Sequence, residues 1–242
     1  EILKTAPPEF TQHARNPARS VRIGGRNVVF APAYGSPFVM DMDKGRRYGT
    51  IADFQNFVKL AQASPWLHHS GGTVCEPTDV PVNKRHLDMV YSHIRYSDRA
   101  FLGSITAPER AADSVEMARI LFGAEFTDQN CVVMGNFNTT SPLVIDGVTA
   151  AGIRTYAAAN QGSIHLPFLL GGAVAPLTIA GMVAQGLAES MASCALESSI
   201  IPWAAPISGT ISPARSEISA KRAATCSGAS SPTARMPWVR VT

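Results

Sequence analysis

The chain of 242 residues has few of the features that mark several protein classes. Its four cysteines are scattered without a C-x-x-C pair, which argues against a zinc ribbon, a redox motif or a disulfide framework. No uninterrupted run of about 18 apolar residues occurs, and the first residues lack a basic-then-apolar leader pattern. We therefore expect neither a membrane span nor secretion, and a cytoplasmic location.

Acidic residues are scarce only in the last part of the chain. Segment 198–242 holds five basic residues against Glu217 alone, so the first 197 residues carry −1 of the overall charge of +3. The body of the protein is not basic, which excludes a nucleic-acid groove there. About half of segment 198–242 is Ser, Ala and Pro, with no sustained apolar period. We expect an irregular or out-of-frame tail; the alternative is a basic tail that binds an anionic surface.

From residue 72 onward the chain repeats an apolar run, a short polar joint and a helical pattern about every 30 residues. The predicted strands cover residues 73–75, 100–105, 131–137 and 164–170. The predicted helices follow at 83–96, 108–122, 142–159 and 176–196, with proline at or near three of their starts. Near-continuous apolar strands that alternate with helices predict parallel pairing with both faces of the sheet covered.

The predicted fold class is therefore α/β. Four βα units without a dinucleotide fingerprint fit half of a TIM (β/α)8 barrel or a small open parallel sheet, and we favour the partial barrel. Residues 67–197 hold these repeats. Residues 1–66 form an N-terminal extension, with a β-hairpin predicted at 21–30 and a helix that Thr50 caps and that ends near residue 64.

Candidate site residues follow from the rule that parallel α/β folds carry their sites at the carboxyl ends of strands. These residues offer amides, hydroxyls, backbone N–H groups and one carboxylate, with no nucleophile–base–acid set. The predicted substrate-binding residues are Glu76, Ser104, Asn136, Phe137, Asn138, Gly171 and Gly172; no catalytic residue is assigned.

Each candidate also has a structural alternative. Glu76 holds a cationic substrate, acts as a base, or merely pairs with an arginine. Strand alternation directs the amides of Asn136 and Asn138 to one side and the ring of Phe137 to the other. Aromatic residues near the joints, such as Tyr34, either form a cage for a quaternary ammonium or pack in the core.

Metal binding is not expected. His68 and His69 lie near Cys75 and Glu76, but the spacing matches no common zinc pattern. His165 lies within an apolar strand, where a hydrogen-bonded core histidine is the usual case.

Several short segments of the sequence, taken in their order along the chain, resemble the trimethylamine:corrinoid methyltransferase family. The resemblance covers roughly residues 14–197. The segments that show it most clearly are Leu67-His-His-Ser-Gly-Gly-Thr-Val-Cys-Glu-Pro77, Ser104-Ile-Thr-Ala-Pro-Glu-Arg110, Asn138-Thr-Thr-Ser-Pro-Leu-Val144 and Leu170-Gly-Gly-Ala173. The family consists of TIM barrels, so the resemblance implies a chain that looks like a fragment of one, with segment 198–242 departing from the family pattern.

The resemblance implies transfer of a methyl group from trimethylamine or a quaternary amine such as glycine betaine to a Co(I) corrinoid. That corrinoid is carried by a separate partner protein, and the family resemblance extends to a role in methanogenesis. We expect Glu76 at the ammonium end of the amine, and Asn136, Asn138 and Ser104 at its polar end. The alternative is an inactive half-barrel that binds a partner or associates with itself through an open sheet edge.

Overall fold

The computed structural model describes residues 7–200, and its first layer is an antiparallel hairpin. Strands β1 (Glu9–Gln12) and β2 (Val21–Gly24) pair with Gln12 opposite Val21. A short 3₁₀ helix at Pro17–Arg19 connects them, and the Asn16 side chain caps it. The hairpin predicted at 21–30 is thus wrong: Gly24, with a φ of +95°, ends β2 beside the carbonyl of Pro8 rather than forming a turn between two strands.

A second hairpin, which the sequence did not predict, leads into the first helix. Strands β3 (Phe38–Asp41) and β4 (Gly45–Tyr48) pair antiparallel. Helix α1 (Ile51–Ala63) follows, and Thr50 forms a capping box with Asp53. This confirms the predicted cap and the predicted end near residue 64.

Three parallel strands form the central sheet in the order β5, β6, β7. They are β5 (Phe101–Leu102), β6 (Val133–Thr139) and β7 (Gly162–Pro167). The first predicted strand, at 73–75, is wrong, because the parallel contact with Ala100 is made by His69 alone. Gly71 then turns with a φ of +92°, which removes the following residues from the sheet.

Helices connect and cover the strands. They are α2 (Arg85–Tyr96), α3 (Pro108–Phe122), α4 (Ala124–Gln129), α5 (Gly147–Ala158) and α6 (Ile179–Ile200). The bounds of α3 are as predicted, whereas the short α4 was not predicted. The predicted helix start at Pro142 is wrong: α5 begins five residues later, where the side chain of Asp146 accepts a hydrogen bond from the Thr149 amide.

Different elements pack against the two faces of the central sheet. On the outer face, side chains from α2, α3, α5 and α6 pack with Phe101, Val133 and Phe137 in one core. On the opposite face, here called the inner face, Leu102, Met134 and Ile164 pack against the N-terminal hairpin. The sheets within residues 7–200 are small and open, so the observed class is mixed α/β and no closed barrel is formed.

Helix α6 presents an apolar stripe to the surface. Ile179, Val183, Leu187 and Met191 recur every four residues and are 46–77% exposed. By length and hydropathy alone the helix would also suffice to cross a membrane, a property that buried helices of globular proteins share. The helix continues to Ile200, three residues past the predicted boundary of the repeats, and segment 201–242 lies outside the described residues.

Candidate functional site

The carboxyl ends of β5, β6 and β7 gather on one edge of the central sheet. The N-terminal hairpin reaches the inner face through Phe10 and Ile23, which contact the cluster around Met134. Asn136 and Asn138 lie two and four residues further along β6, about 7 and 13 Å towards the carboxyl end. Both side chains share the side of Met134, since alternate residues of a strand share a face.

The two asparagines differ in burial and in partners. Asn136 is 6% exposed, and its Oδ1 has no hydrogen-bond partner among the described residues. Asn138 is exposed and aligns with Leu166 of β7. A buried amide oxygen without a partner costs about 1–3 kcal/mol, so a group that donates a hydrogen bond to it would be stabilised there. Asn136 is thus the described inner-face residue that is best suited to contact a ligand.

Phe137 lies away from these amides. It is 1% exposed on the outer face, with its ring edge-on to Tyr156 at 5.7 Å and stacked on His165 at 6.2 Å. Gly152 of α5 allows this packing, because a Cβ there would lie 2.8 Å from the Phe137 ring. Phe137 therefore acts as a core residue that fixes the strand on which both asparagines stand.

Ser104 follows β5 with its backbone held from two sides. Its N–H donates to Ser114 Oγ at 2.9 Å, and its carbonyl accepts from the Tyr156 hydroxyl at 3.0 Å. Its own hydroxyl is 3.5 Å from that of Thr106, which is a weak contact. The half-buried Ser104 hydroxyl is consequently available to a ligand while its backbone is fixed.

Glu76 lies in a loop rather than at a strand end. Its Oε1 accepts a 2.5 Å hydrogen bond from Arg85 Nη1, and the rest of that guanidinium holds the carbonyl of Val80. The arginine pairing foreseen as an alternative is thus present. The Glu76 side chain is still 36% exposed, so the carboxylate remains open to a further cation.

Tyr34 packs beside the inner face of the sheet and interacts electrostatically with Glu76. Burial raises the pKa of the Tyr34 hydroxyl, a hydrogen bond with Thr73 opposes this, and the charge of Glu76 raises it further. The ring lies over Gly72, where a Cβ would be 2.8 Å from Tyr34 Cε2 and 2.9 Å from Leu102 Cβ. The aromatic ring beside the inner face of β5 thus lies within electrostatic reach of a carboxylate, and both groups attract cations.

Gly171 and Gly172 form an exposed turn beyond β7. The Gly172 N–H donates to the Ala175 carbonyl at 2.8 Å, and its φ of +80° suits a residue without a side chain. The two glycines face Met182, Pro176 and Leu177 at and just before the start of α6. These contacts do not bring them to the asparagines or to Glu76.

Glu189 of α6 is a site-supporting residue that the sequence analysis missed. Its carboxylate is 2% exposed and accepts hydrogen bonds from Thr139, Ser141, Leu143 and Gln185 at 2.5–2.9 Å. Burial opposes ionisation, but these hydrogen bonds lower the pKa to about 2. The carboxylate thereby fixes the loop that follows Asn138. Glu189 and Glu197 are the only charged residues of α6. A lone carboxylate in an otherwise apolar helix indicates a buried, partnered acid, so the sequence did hold a signal for both residues.

The buried histidines stabilise the fold through hydrogen bonds. His69 and His93 are buried, and His93 Nε2 donates to the Gly72 carbonyl at 2.8 Å. Burial lowers the pKa of His93 to about 4; burial and then the charge of His93 lower that of His69 to about 3. His165 Nε2 pairs with Glu197 at 2.6 Å inside the core. Within residues 7–200 no group of three or more His, Cys, Asp or Glu side chains could hold a metal.

The fold and the strand-end site define an α/β protein whose candidate site offers amides, a hydroxyl, a tyrosine ring and a carboxylate. The family model for trimethylamine methyltransferase (MTTB) matches residues 1–237. The chain belongs to this family, which confirms the predicted membership. The match includes most of segment 198–242, which the sequence analysis had placed outside the resemblance.

One similar protein is a glycine betaine methyltransferase from Desulfitobacterium hafniense (strain Y51). It is 44% identical over 211 residues, which are 87% of this chain and 44% of the relative. The chain thus spans less than half the length of this relative.

Proposed function

We propose that this chain contributes the amine-binding rim of a methyltransferase that moves a methyl group from a quaternary amine, such as glycine betaine, to the Co(I) corrinoid of a partner protein. The observation that carries the proposal is the presence of two kinds of group near the carboxyl ends of the strands: the Tyr34–Glu76 patch for an ammonium, and the amide NH2 groups of Asn136 and Asn138 with the Ser104 hydroxyl as donors to a carboxylate. Family membership and the similarity to a glycine betaine methyltransferase support the same substrate class.

We infer that the fold is part of a TIM barrel. His69, β5, β6 and β7 are neighbours in chain order with parallel pairing, as consecutive barrel strands are. The helices share the outer core, and the N-terminal hairpin covers the inner face away from the rim. In such a barrel Ser104, Asn136 and Asn138 face the mouth, where sites of this fold lie.

The reaction requires little of this chain beyond binding the methyl donor and aligning it. The partner's corrinoid, when docked, supplies the Co(I) nucleophile. A quaternary ammonium already carries its positive charge, so the amine leaves neutral and no side chain has to donate a proton. This chain has to hold the donor methyl group in line and exclude water. Tyr34 and Glu76 attract the ammonium, while Asn136, Asn138 and Ser104 donate hydrogen bonds to the carboxylate of glycine betaine.

Methylation of Co(I) corrinoid protein, followed by its absorption spectrum, tests the proposal with glycine betaine and trimethylamine as donors. We expect Glu76→Gln to weaken donor binding about tenfold, the loss of one charge contact. Glu9→Gln is a matched control, since Glu9 is 32% exposed and bonds Arg22 at 2.5 Å, much as Glu76 bonds Arg85. Equal turnover by Glu76→Gln and the parent protein would remove Glu76 from the site.

Asn136→Leu gives a second expected result that separates function from folding. Leucine removes the unpartnered amide oxygen, so we expect the free energy of unfolding in urea to rise or to change by less than about 1 kcal/mol. Donor binding, measured by ligand-observed NMR, should fall at least about tenfold. A variant that binds the donor normally, or that is destabilised by several kcal/mol, would show that Asn136 serves the core.

The stripe on α6 favours a second candidate function, a module that associates with itself. Four apolar side chains lie on an exposed helix face beside β7, the edge strand of the sheet within residues 7–200. They form a surface that soluble monomers seldom present. On this alternative, light scattering should detect dimers at micromolar concentration, and Leu187→Glu should restore the monomer. Ile120→Glu controls for added charge, since Ile120 is an apolar residue of α3 that is 78% exposed and lies outside the stripe. A parent chain that stays monomeric at high concentration would contradict self-association.

A further inference from the structure

A cavity of about 320 Å³ lies at the end of the sheet opposite the candidate site. Arg99 and His68 enter its wall just before β5 and before the bridge at His69, so it adjoins the amino-terminal ends of the parallel strands. Arg19 and Arg22 line it from the N-terminal hairpin. None of the roles proposed above for amine binding involves these residues.

The wall of this cavity is positively charged. Among the described residues, three arginines and a histidine line it, and no aspartate or glutamate does. Arg19 forms an ion pair with Asp98 at 3.2 Å and Arg22 with Glu9 at 2.5 Å, both carboxylates lying outside the lining. These two pairs neutralise two of the three guanidinium charges.

Arg99 is the arginine without a carboxylate. It is 9% exposed, and its guanidinium donates to the backbone carbonyls of Gln62, Ser64 and Leu67. It forms no ion pair within 4 Å with a carboxylate of residues 7–200. These carbonyl groups accept hydrogen bonds from Nη1 and Nη2 only, and the buried Nε has no partner among the described residues. Carbonyl groups carry no net charge, so a fixed positive charge remains at the cavity.

The surroundings of Arg99 also disfavour its charge. Burial lowers the pKa of Arg99, and the neighbouring Arg19 lowers it further, while Asp98 opposes the shift. Arginine nevertheless stays protonated at neutral pH. A bound anion would relieve both the desolvation and the repulsion between the two guanidinium groups.

We propose that the cavity lined by Arg19, Arg22 and Arg99 is a binding site for a small anion that carries a phosphate group. A phosphate group offers the negative charge that Arg99 lacks, and it offers the oxygen atoms that guanidinium groups such as those of Arg19 and Arg22 bind in pairs. The cavity volume lies at the low end of the range for small-molecule sites, about 300–1,000 Å³, and admits a small phosphomonoester as well as inorganic phosphate. The site is separate from the amine site, so its occupancy does not depend on the proposed methyl transfer.

Calorimetric titration of the full 242-residue chain tests the site, with inorganic phosphate and glycerol phosphate as probes and sodium chloride at matched ionic strength as the blank. We expect saturable 1:1 binding of at least one phosphate probe. The tighter probe shows whether the natural ligand is free phosphate or a phosphomonoester. Absence of saturation at millimolar probe would overturn the proposal.

Matched arginine variants locate the binding. Arg19→Gln should weaken it about tenfold, the usual cost of one charge-assisted hydrogen bond. Arg119→Gln is the control, because Arg119 is 34% exposed against 36% for Arg19 and also pairs with an aspartate at 3.2 Å, but lies outside the cavity. Equal weakening by both variants would mean general attraction of anions to a cationic surface, and would contradict a defined site. Far-ultraviolet circular dichroism of each variant confirms that the comparison is between folded chains.

Discussion

Replacing Glu189 by alanine is expected to lower the free energy of unfolding by about 4 kcal/mol, because hydrogen bonds to a charged acceptor are worth about 1.5–3 kcal/mol each and are not additive. Thr139, Ser141, Leu143 and Gln185 would all lose their common acceptor. The loop beyond Asn138 would then lose its attachment to α6. Urea unfolding at pH 7 measures the stability, and hydrogen exchange at Leu143 measures the loop.

The pH dependence of stability gives an independent measure of the same carboxylate. The pKa of Glu189 is about 2 in the folded chain and about 4.5 in the unfolded chain. Its contribution is therefore complete above pH 4.5 and is lost as the pH falls towards 2, by about 3 kcal/mol. In Glu189→Gln this part of the acid dependence should be absent.

Glu116→Gln is the control for the loss of an acidic group. The Glu116 side chain is 67% exposed, so its removal should change the stability by less than about 0.5 kcal/mol. If Glu189→Ala were as mild as this control, the carboxylate would not hold the loop in solution.

The second large effect is expected from the buried pair His69 and His93. The unfolded chain takes up protons on both histidines near pH 6.5, whereas in the folded chain their pKa values are about 3 and about 4. Stability from this source is complete above pH 6.5 and declines as the pH falls through 4 and 3. Down to pH 4.5 the two groups together should remove about 5 kcal/mol.

Urea unfolding at pH 7.5, 6.5, 5.5 and 4.5 measures this slope, in a range above the pKa of most carboxylates. His93→Gln should flatten the slope and, by weakening the bond to the Gly72 carbonyl, should lower the stability at pH 7.5 by about 1–3 kcal/mol. His68→Gln removes the exposed neighbour of His69 and should leave the slope intact. A parent chain equally stable at pH 7.5 and 4.5 would show that the pair is not buried as described.

The histidine pair also matters for the candidate site. His93 holds the carbonyl of Gly72, and Gly72 supports the ring of Tyr34. Protonation of His93 would therefore disturb the segment that positions the Tyr34–Glu76 patch. Loss of donor binding should accompany the loss of stability in acid.

Local signals in the sequence accounted for much of the secondary structure. Proline in the first turn and regular apolar spacing defined α3 to the residue, and the cap at Thr50 defined the start of α1. Both signals act within one or two turns of helix, so no tertiary information is needed. Pro142 failed as a start signal because it belongs to the Glu189-bound loop, and contacts across almost 50 residues override the local preference.

The sequence predicted which residue types the candidate site contains, but not which residues contact one another there. Strand alternation correctly separated the asparagines from Phe137, because β6 is regular and its register with β7 is continuous. The strand expected before Glu76 is replaced by a turn at Gly71, and Val74 and Cys75 pack with α1 instead. Tyr34 and Glu189 stand out in the sequence, one as an aromatic residue near a joint and the other as a charge in an apolar helix. Their partners lie on chain segments that meet only after folding, so no local pattern reveals those contacts.

The long-range attachment of β1 bears on the order in which the molecule assembles. Gln12 donates to the Phe101 carbonyl, and it forms a bridge with Cys131, 119 residues further along the chain. These contacts cannot form until the chain has been synthesised as far as Cys131. The closure of so large a loop is entropically unfavourable and slow, so β1 reaches its native place only after the much later segment around Cys131 has been synthesised and has come back to it.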